Sequence, residues 1–145
     1  MTQPKRISLD LPPEPDSIPR ARRALQDVKS TLDPVTFLNV RLLVSELVTN
    51  AVRHVPADRA DTIHLEIERT DEHIRVEVVD RGEGFVPRPR ADSEDRASGW
   101  GLNILAKVAS RWGVENDDGA RVWFEIDAPR RDAGASAERG QGAVA

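Results

Sequence analysis

The strongest constraint on the fold is an alternation of apolar and polar residues in two segments separated by a short turn. Apolar residues occupy every second position of both segments: Ile63, Leu65 and Ile67 in the first, and Ile74, Val76 and Val78 in the second. This alternation is typical of strands with one buried and one exposed face. The turn-forming residues 70–72 lie between the segments, which predicts an antiparallel hairpin.

The segments before the hairpin predict one strand and two helices. Residues 7–11 alternate in the same way and are expected to form a short strand. Ser17 is predicted to cap a helix with apolar residues three or four positions apart, namely Ile18, Ala21, Leu25, Val28 and Leu32. Asp33-Pro34 ends this helix and begins a second one, which runs to about His54.

A third helix and two more strands are predicted after the hairpin. The apolar positions Leu102, Leu105, Val108, Ala109 and Trp112 favour the helix. Residues 112–116 and 121–127 are strand-like and are joined by residues 117–119, a good hairpin turn. The order β-α-α-β-β-loop-α-β-β predicts an α+β fold, with a mixed and mostly antiparallel sheet covered on one face by about three helices.

Composition excludes several classes of function. The 145 residues are enough for one domain, and 21 basic against 25 acidic residues argue against nucleic-acid binding. The absence of cysteine excludes disulfides and thiolate metal sites. We find no signal-peptide pattern and no apolar run that approaches membrane-spanning length, so we expect a cytoplasmic protein without membrane association. Residues 1–129 are expected to form the domain, and the Ala/Gly-rich residues 130–145 a disordered tail.

The second helix contains an unusual polar stripe. Glu46, Asn50 and His54 are four positions apart and therefore share one helix face. The ordinary interpretation is the solvated side of an amphipathic helix. However, asparagine is unfavourable within a helix, and an amide oxygen beside a carboxylate suits Mg²⁺.

Two glycine motifs follow. Asp80-x-Gly82-x-Gly84 ends a strand, and Gly99-x-Gly101-Leu102 begins a helix. Glycine permits close backbone approach, and a helix N-terminus offers free amides to phosphate. Each motif taken singly is equally consistent with an ordinary turn or helix start. The polar residues 85–98 between them predict a mobile loop that closes on nucleotide as a lid.

In this order and spacing, the three segments resemble the N, G1 and G2 boxes of the GHKL ATPase superfamily, which includes gyrase and the histidine kinases. The resemblance extends to about residue 128. It implies a Bergerat-type two-layer α/β sandwich that binds ATP and Mg²⁺. Two positions depart from the family pattern, because Asn103 replaces a frequent glycine and Ala120 stands where a threonine often supports the adenine-binding aspartate.

The resemblance also implies roles for individual residues. Asn50 matches the Mg²⁺ ligand, Glu46 the general base, and Asp80 the carboxylate that accepts a hydrogen bond from the adenine amine and so favours ATP over GTP. The remaining nucleotide-binding positions implied by the resemblance are Arg53, His54, Gly82, Gly84, Gly99, Gly101 and Leu102.

Within the superfamily, residues 45–54 and 122–125 are most similar to the anti-sigma-factor serine/threonine kinases of Gram-positive bacteria and actinomycetes. The implied reaction transfers the ATP γ-phosphate to a serine or threonine of an antagonist protein. The implied partners are that antagonist, a sigma factor and a second copy of the chain in a homodimer.

Two other classes of function stay open. A nucleotide-sensing module would hold a partner without transferring phosphate, and the motifs show capacity for binding rather than a rate. A nucleotide-free interaction protein is disfavoured, because it would have no need for Glu46, Asn50, Asp80 and both glycine motifs together.

Overall fold

The computed structural model describes residues 3–54 (without the His54 side chain), 62–80, 103–115 and 120–130. The strands are β1 (Lys5–Leu11), β2 (Ile63–Arg69), β3 (His73–Asp80), β4 (Arg111–Glu115) and β5 (Ala120–Asp127). The helices are α1 (Ser17–Ala24), α2 (Pro34–His54) and α3, whose described part covers residues 103–108. The strands form one sheet in the order β1-β2-β3-β5-β4. The predicted α+β fold is confirmed, and every pair among these five strands is antiparallel.

The predicted central hairpin is present with its expected faces. β2 and β3 pair so that Ile67 lies opposite Val76. The turn closes through the Thr70 amide, which donates to the His73 carbonyl at 3.0 Å. Every second residue of both strands is buried, and the residues between are half-buried on the opposite face. The hairpin therefore presents one apolar face to the core.

Helix α2 covers that apolar face. Its buried side chains, including Leu43, Val44, Leu47 and Val48, form one core cluster with the buried residues of β2, β3 and β5. Burying an aliphatic side chain of this size contributes about 1.5–3 kcal/mol to stability. Asp33 fixes the start of α2, because its carboxylate accepts hydrogen bonds from the Thr36 amide and hydroxyl.

The first helix is shorter than the sequence predicted. α1 ends at Ala24, and the chain continues through two 3₁₀ turns, Leu25–Asp27 and Lys29–Thr31. Leu25 and Val28 are nevertheless fully buried, because a 3₁₀ turn keeps residues three apart on one side. The prediction that Ser17 caps the helix is wrong: Ser17 is the first helical residue, and its hydroxyl donates to the Pro12 carbonyl at 2.5 Å.

The expectation about membrane-spanning length is also too strong. Residues Pro34–Arg53 are long and apolar enough to cross a membrane by length and composition. In the structure 44% of this stretch is buried within the protein. Contacts with the sheet explain its buried apolar residues, whereas Val35, Leu38 and Leu42 are exposed.

At the C-terminal end, the predicted helix is too long and the predicted strand starts too late. Helical residues end at 108, and β4 begins at Arg111, so Trp112 belongs to the strand. The side chain of Arg130, the first residue of the predicted tail, contacts the Asp71 carboxylate at 2.8 Å. The predicted turn at 117–119, the loop at 85–98 and tail residues 131–145 lie outside the described residues.

Candidate nucleotide-binding site

Glu46 and Asn50 of the polar stripe and the neighbouring Arg53 differ in burial. Asn50 retains 5% of its exposed surface, Glu46 one turn earlier is half-buried, and Arg53 is exposed. The interpretation as a solvated helix side therefore fits Arg53 and does not fit Asn50. A buried asparagine is uncommon because its amide must find partners in place of water.

Asp80 is the last residue of the central strand β3. The register places Asp80 between Ile63 of β2 and Ala120 of β5. Asp80 is only 5% exposed. Ala120 is 2% exposed and has no hydroxyl. The departure noted in the sequence therefore lies directly opposite the predicted adenine-binding carboxylate.

The two buried polar side chains meet across the layers. Asn50 and Asp80 line one small cavity between α2 and the ends of β3 and β5. The other lining residues are apolar, namely Leu47, Ala51, Val78 and Val122. The structure thus brings together the predicted Mg²⁺ ligand and the predicted adenine contact, which are 30 positions apart in the sequence.

The Asn50 side chain fits a ligand-binding role. Within the described ranges, no residue forms a hydrogen bond with its amide group. A buried polar group without a protein partner destabilises the folded protein unless water, an ion or a ligand bonds to it. The amide oxygen of Asn50 is consequently available at the cavity.

The amide oxygen of Asn50 is also a suitable ligand atom for Mg²⁺. This ion keeps several waters and is held by one or two protein oxygens together with substrate phosphates. In the described part of the chain, no group of three His, Asp or Glu side chains could hold a metal by itself. Among the described residues of the cavity, Asn50 is the one whose amide oxygen matches the predicted Mg²⁺ ligand.

Hydrogen bonds that the sequence did not reveal fix α2 beside the site. The Ser45 hydroxyl donates to the Arg41 carbonyl at 2.8 Å, and the Thr49 hydroxyl donates to the Ser45 carbonyl at 2.6 Å. Arg22 of α1 donates to the Ser45 hydroxyl at 2.9 Å. A Ser and a Thr four positions apart within a helix are the available sequence signal, because such residues bond back to the preceding turn.

Several predicted site residues cannot be placed. Gly82, Gly84, Gly99, Gly101 and Leu102 lie outside the described residues, and only the backbone of His54 is described. The first well-packed residue after the second glycine motif is Leu105, which is fully buried in the core cluster. The described part of α3 therefore packs on the same core as α2.

A family model for the histidine kinase-like ATPase domain matches residues 11–126. The chain belongs to this family. Among solved structures, it is similar to the histidine kinase domain of the blue-light activated histidine kinase from Erythrobacter litoralis EL346, at 28% identity and a TM-score of 0.45. That similarity covers 65% of this chain and 44% of the kinase chain, so this chain spans less than half of that protein. Comparison with curated proteins found no match.

Family membership indicates which ligand the cavity binds. The domain is an ATP-binding domain of the GHKL type, as the order of the three motifs predicted. The matched range contains Glu46, Asn50 and Asp80 as well as both glycine motifs. The recess between α2 and β3 is therefore the candidate nucleotide-binding site.

Proposed function

We propose that this chain is an ATP-binding anti-sigma factor with serine/threonine protein kinase activity, which acts in the cytoplasm as a homodimer. It transfers the γ-phosphate of ATP to an antagonist protein, and it binds a sigma factor when the antagonist is not engaged. The main support is one arrangement: half-buried Glu46 lies one helical turn from buried Asn50, which shares a cavity with Asp80.

This arrangement separates three tasks. Asp80 would accept a hydrogen bond from the adenine amine, because an ionised carboxylate only accepts. Asn50 would hold Mg²⁺, which supplies positive charge beside the phosphates. Glu46 is half-buried, so a hydroxyl from a protein substrate can reach its carboxylate, which would orient that hydroxyl and accept its proton.

A nucleotide-sensing module that binds a partner without phosphate transfer is the second candidate. Ala120 favours it, since a buried alanine opposite Asp80 cannot support the carboxylate through a hydroxyl. Weaker nucleotide binding would suit a sensor that follows the ATP concentration in the cell. Phosphate transfer distinguishes the two candidates.

The decisive experiment compares Glu46→Gln with Asn50→Ala. We expect Glu46→Gln to bind Mg·ATP like the wild type, while phosphate transfer to the antagonist falls about 10²–10⁴-fold, the usual contribution of a general base. Asn50→Ala should lose Mg²⁺-dependent ATP binding. Calorimetry with Mg·ATP measures binding, and radiolabelled ATP with candidate antagonists measures transfer.

Two variants control for unspecific effects. Asn39→Ala makes the same change as Asn50→Ala at a position of α2 away from the cavity. Glu115→Gln makes the same change as Glu46→Gln at an exposed position of β4. Both should behave like the wild type. Loss of ATP binding in Glu46→Gln would show that this carboxylate is structural. Wild-type protein that binds ATP and transfers nothing to its true antagonist would establish the sensor instead.

Adenine selectivity is tested at Asp80. Asp80→Asn replaces an accepting oxygen with a donating group that faces another donor, and a lost charge-assisted hydrogen bond costs about 1.5–3 kcal/mol. We therefore expect ATP affinity to fall about tenfold or more. Titration of wild type and variant with ATP and GTP measures this. Equal affinity of the wild type for ATP and GTP would contradict the assigned role.

A further inference from the structure

A large groove lies on the helical side of the molecule, away from the nucleotide site. It has a volume of about 1030 Å³ and runs between α1, the two 3₁₀ turns and the first two turns of α2. Phe37 and Leu38 contribute apolar surface to it. Phe37 is buried, whereas Leu38 is 58% exposed, which leaves a large apolar side chain in contact with water.

Positive charge surrounds this apolar surface. Arg22, Arg23, Lys29 and Arg41 line the groove, and none of its described lining residues is acidic. Together with Phe37 and Leu38 these residues define what we call the cationic groove. Among the described residues, no carboxylate forms an ion pair with any of the four cations. Ion pairs among the described residues therefore leave this charge uncompensated, although the whole chain has a net charge of −4.

Two acidic residues are close to the groove in sequence, and neither is among its described lining residues. Asp33 caps α2 through its hydrogen bonds with Thr36. Asp27 lies on the first 3₁₀ turn with an exposed side chain that is not part of the groove lining. Lys29 lies over the Phe37 ring, with its Nζ 5.3 Å from the ring centroid, so cationic and apolar surface are contiguous.

The cationic groove is distinct from the nucleotide site. No described residue lines both this groove and the cavity that contains Asn50 and Asp80. Arg41 precedes Asn50 by nine positions, which corresponds to about 13 Å along the axis of α2. The two sites therefore occupy opposite halves of one helix.

We propose that the cationic groove binds an acidic amphipathic helix of a partner protein. An occupant must cover the exposed part of Leu38 and also neutralise several cations at the edges. An amphipathic helix does both, since apolar residues on one face enter the groove while flanking carboxylates meet the arginines. This proposal does not depend on phosphate transfer.

Other occupants match less of the surface. A small anion would neutralise charge and leave Leu38 in water. An anionic membrane would need a flat or convex apolar surface, whereas Phe37 lies buried within a concave groove. Experiment distinguishes both occupants from an acidic helix, because each occupant is added as a different probe and its binding is measured separately.

The test uses the full chain and a display library of random helical peptides about four turns long. Selection on the wild-type protein should enrich peptides that combine Asp and Glu with apolar residues at helical spacing. The best peptides are then synthesised with a fluorophore and titrated by polarisation at increasing NaCl. We expect affinity to fall as salt screens the charges.

Matched variants locate the binding site. Arg23→Glu changes a groove residue, and Arg20→Glu makes the same change at an exposed α1 position outside the groove. Leu38→Asp and Val35→Asp form an equivalent pair on α2, where both residues are exposed and only Leu38 lines the groove. Each groove variant should weaken peptide binding about tenfold or more, and each control about twofold or less. Thermal melts confirm that all four variants fold.

Three results would overturn the proposal. The first is selection that enriches no sequence class or enriches basic peptides. The second is a selected peptide that binds Arg23→Glu and Leu38→Asp as tightly as the wild type. The third is binding to phosphatidylglycerol vesicles that displaces the selected peptides and is lost in the same two variants, which would assign the groove to a membrane surface.

Discussion

The open face of the sheet and the helical layer distribute their charges differently. On the sheet, arginines pair with carboxylates on neighbouring strands. These pairs join Arg6 to Glu68, Arg75 to Glu125, Arg111 to Glu125 and Asp127, and Arg121 to Glu77. On the helical layer, the four cations of the cationic groove form no ion pair with a described residue.

Strand register explains the pairing on the sheet. Glu68 lies directly opposite Arg6, and Glu125 lies opposite both Arg75 and Arg111 on its two neighbouring strands. Cross-strand neighbours are close enough for opposite charges to interact. Hydrogen bonds from Arg111 and then Arg75 hold the pKa of Glu125 below its usual value. The sheet therefore pairs these charges internally, whereas no described carboxylate pairs with the four cations of the cationic groove.

The largest effect is expected at Arg69, the fully buried arginine where the two layers meet. Its guanidinium donates to the Thr31 hydroxyl and carbonyl and, at 2.6 Å, to the Ala128 carbonyl. Burial lowers its pKa, yet an arginine stays charged. We expect Arg69→Met to cost about 3–5 kcal/mol, because two carbonyls lose their donors. Urea unfolding measures this cost.

Arg69→Lys is the matched control for charge. It retains the positive charge and loses the planar group that reaches both Thr31 and Ala128, so most of the cost should persist. A loss below about 1 kcal/mol in Arg69→Met would show that this residue does not hold the layers together. The molecule would then depend on its apolar core alone at this edge.

Charge reversal tests the comparison directly. Arg75 contacts Glu77 and Glu125 and lies 4.3 Å from the centroid of the Trp123 ring. Arg75→Glu should therefore destabilise the protein by about 1–2 kcal/mol, since it removes these contacts and adds repulsion. Arg41→Glu in the cationic groove should change stability by about 0.5 kcal/mol or less. Equal losses in both variants would contradict the distinction between the two faces.

The sequence predicted those features that depend on local patterns or on a known motif order. Alternation in residues 63–67 and 74–78 predicted the correct buried faces, since side chains of a strand alternate strictly. The resemblance predicted that Asn50 and Asp80 serve one ligand, and the structure places both at one cavity. The glycine motifs lie outside the described residues, so their roles stay predictions.

Features that depend on distant segments were missed. Arg69 shares the buried face of β2 with Ile63, Leu65 and Ile67, but its partners Thr31 and Ala128 are 38 and 59 positions away and do not follow from the alternation. The cationic groove was hidden because periodicity continued to Leu32 as one helix. Two 3₁₀ turns with the same buried side replace that helix, and the space beside them exists only after packing on α2.

The smallest effect concerns a sheet contact that depends on pH. His64 lies on the open face of β2, where its Nδ1 is 2.8 Å from the Asp10 carboxylate and its Nε2 is 3.5 Å from Glu66. The hydrogen bond with Asp10 is the main cause that raises the pKa of His64. A raised folded-state pKa stabilises the protein fully below the unfolded value of about 6.5, and this stabilisation is lost as pH rises through the folded-state pKa.

We therefore expect His64→Gln to melt about 1–3 °C below the wild type at low pH, and the difference should vanish at high pH. Melting curves between about pH 5.5 and 8.5 cover this range. The effect is small because the His64 side chain is 37% exposed and solvent screens its charge. Asp10→Asn should remove most of the pH dependence while His64 remains. A difference that is constant across pH would mean that His64 contributes packing alone. The open face of the sheet would then lack the charge pair between His64 and Asp10.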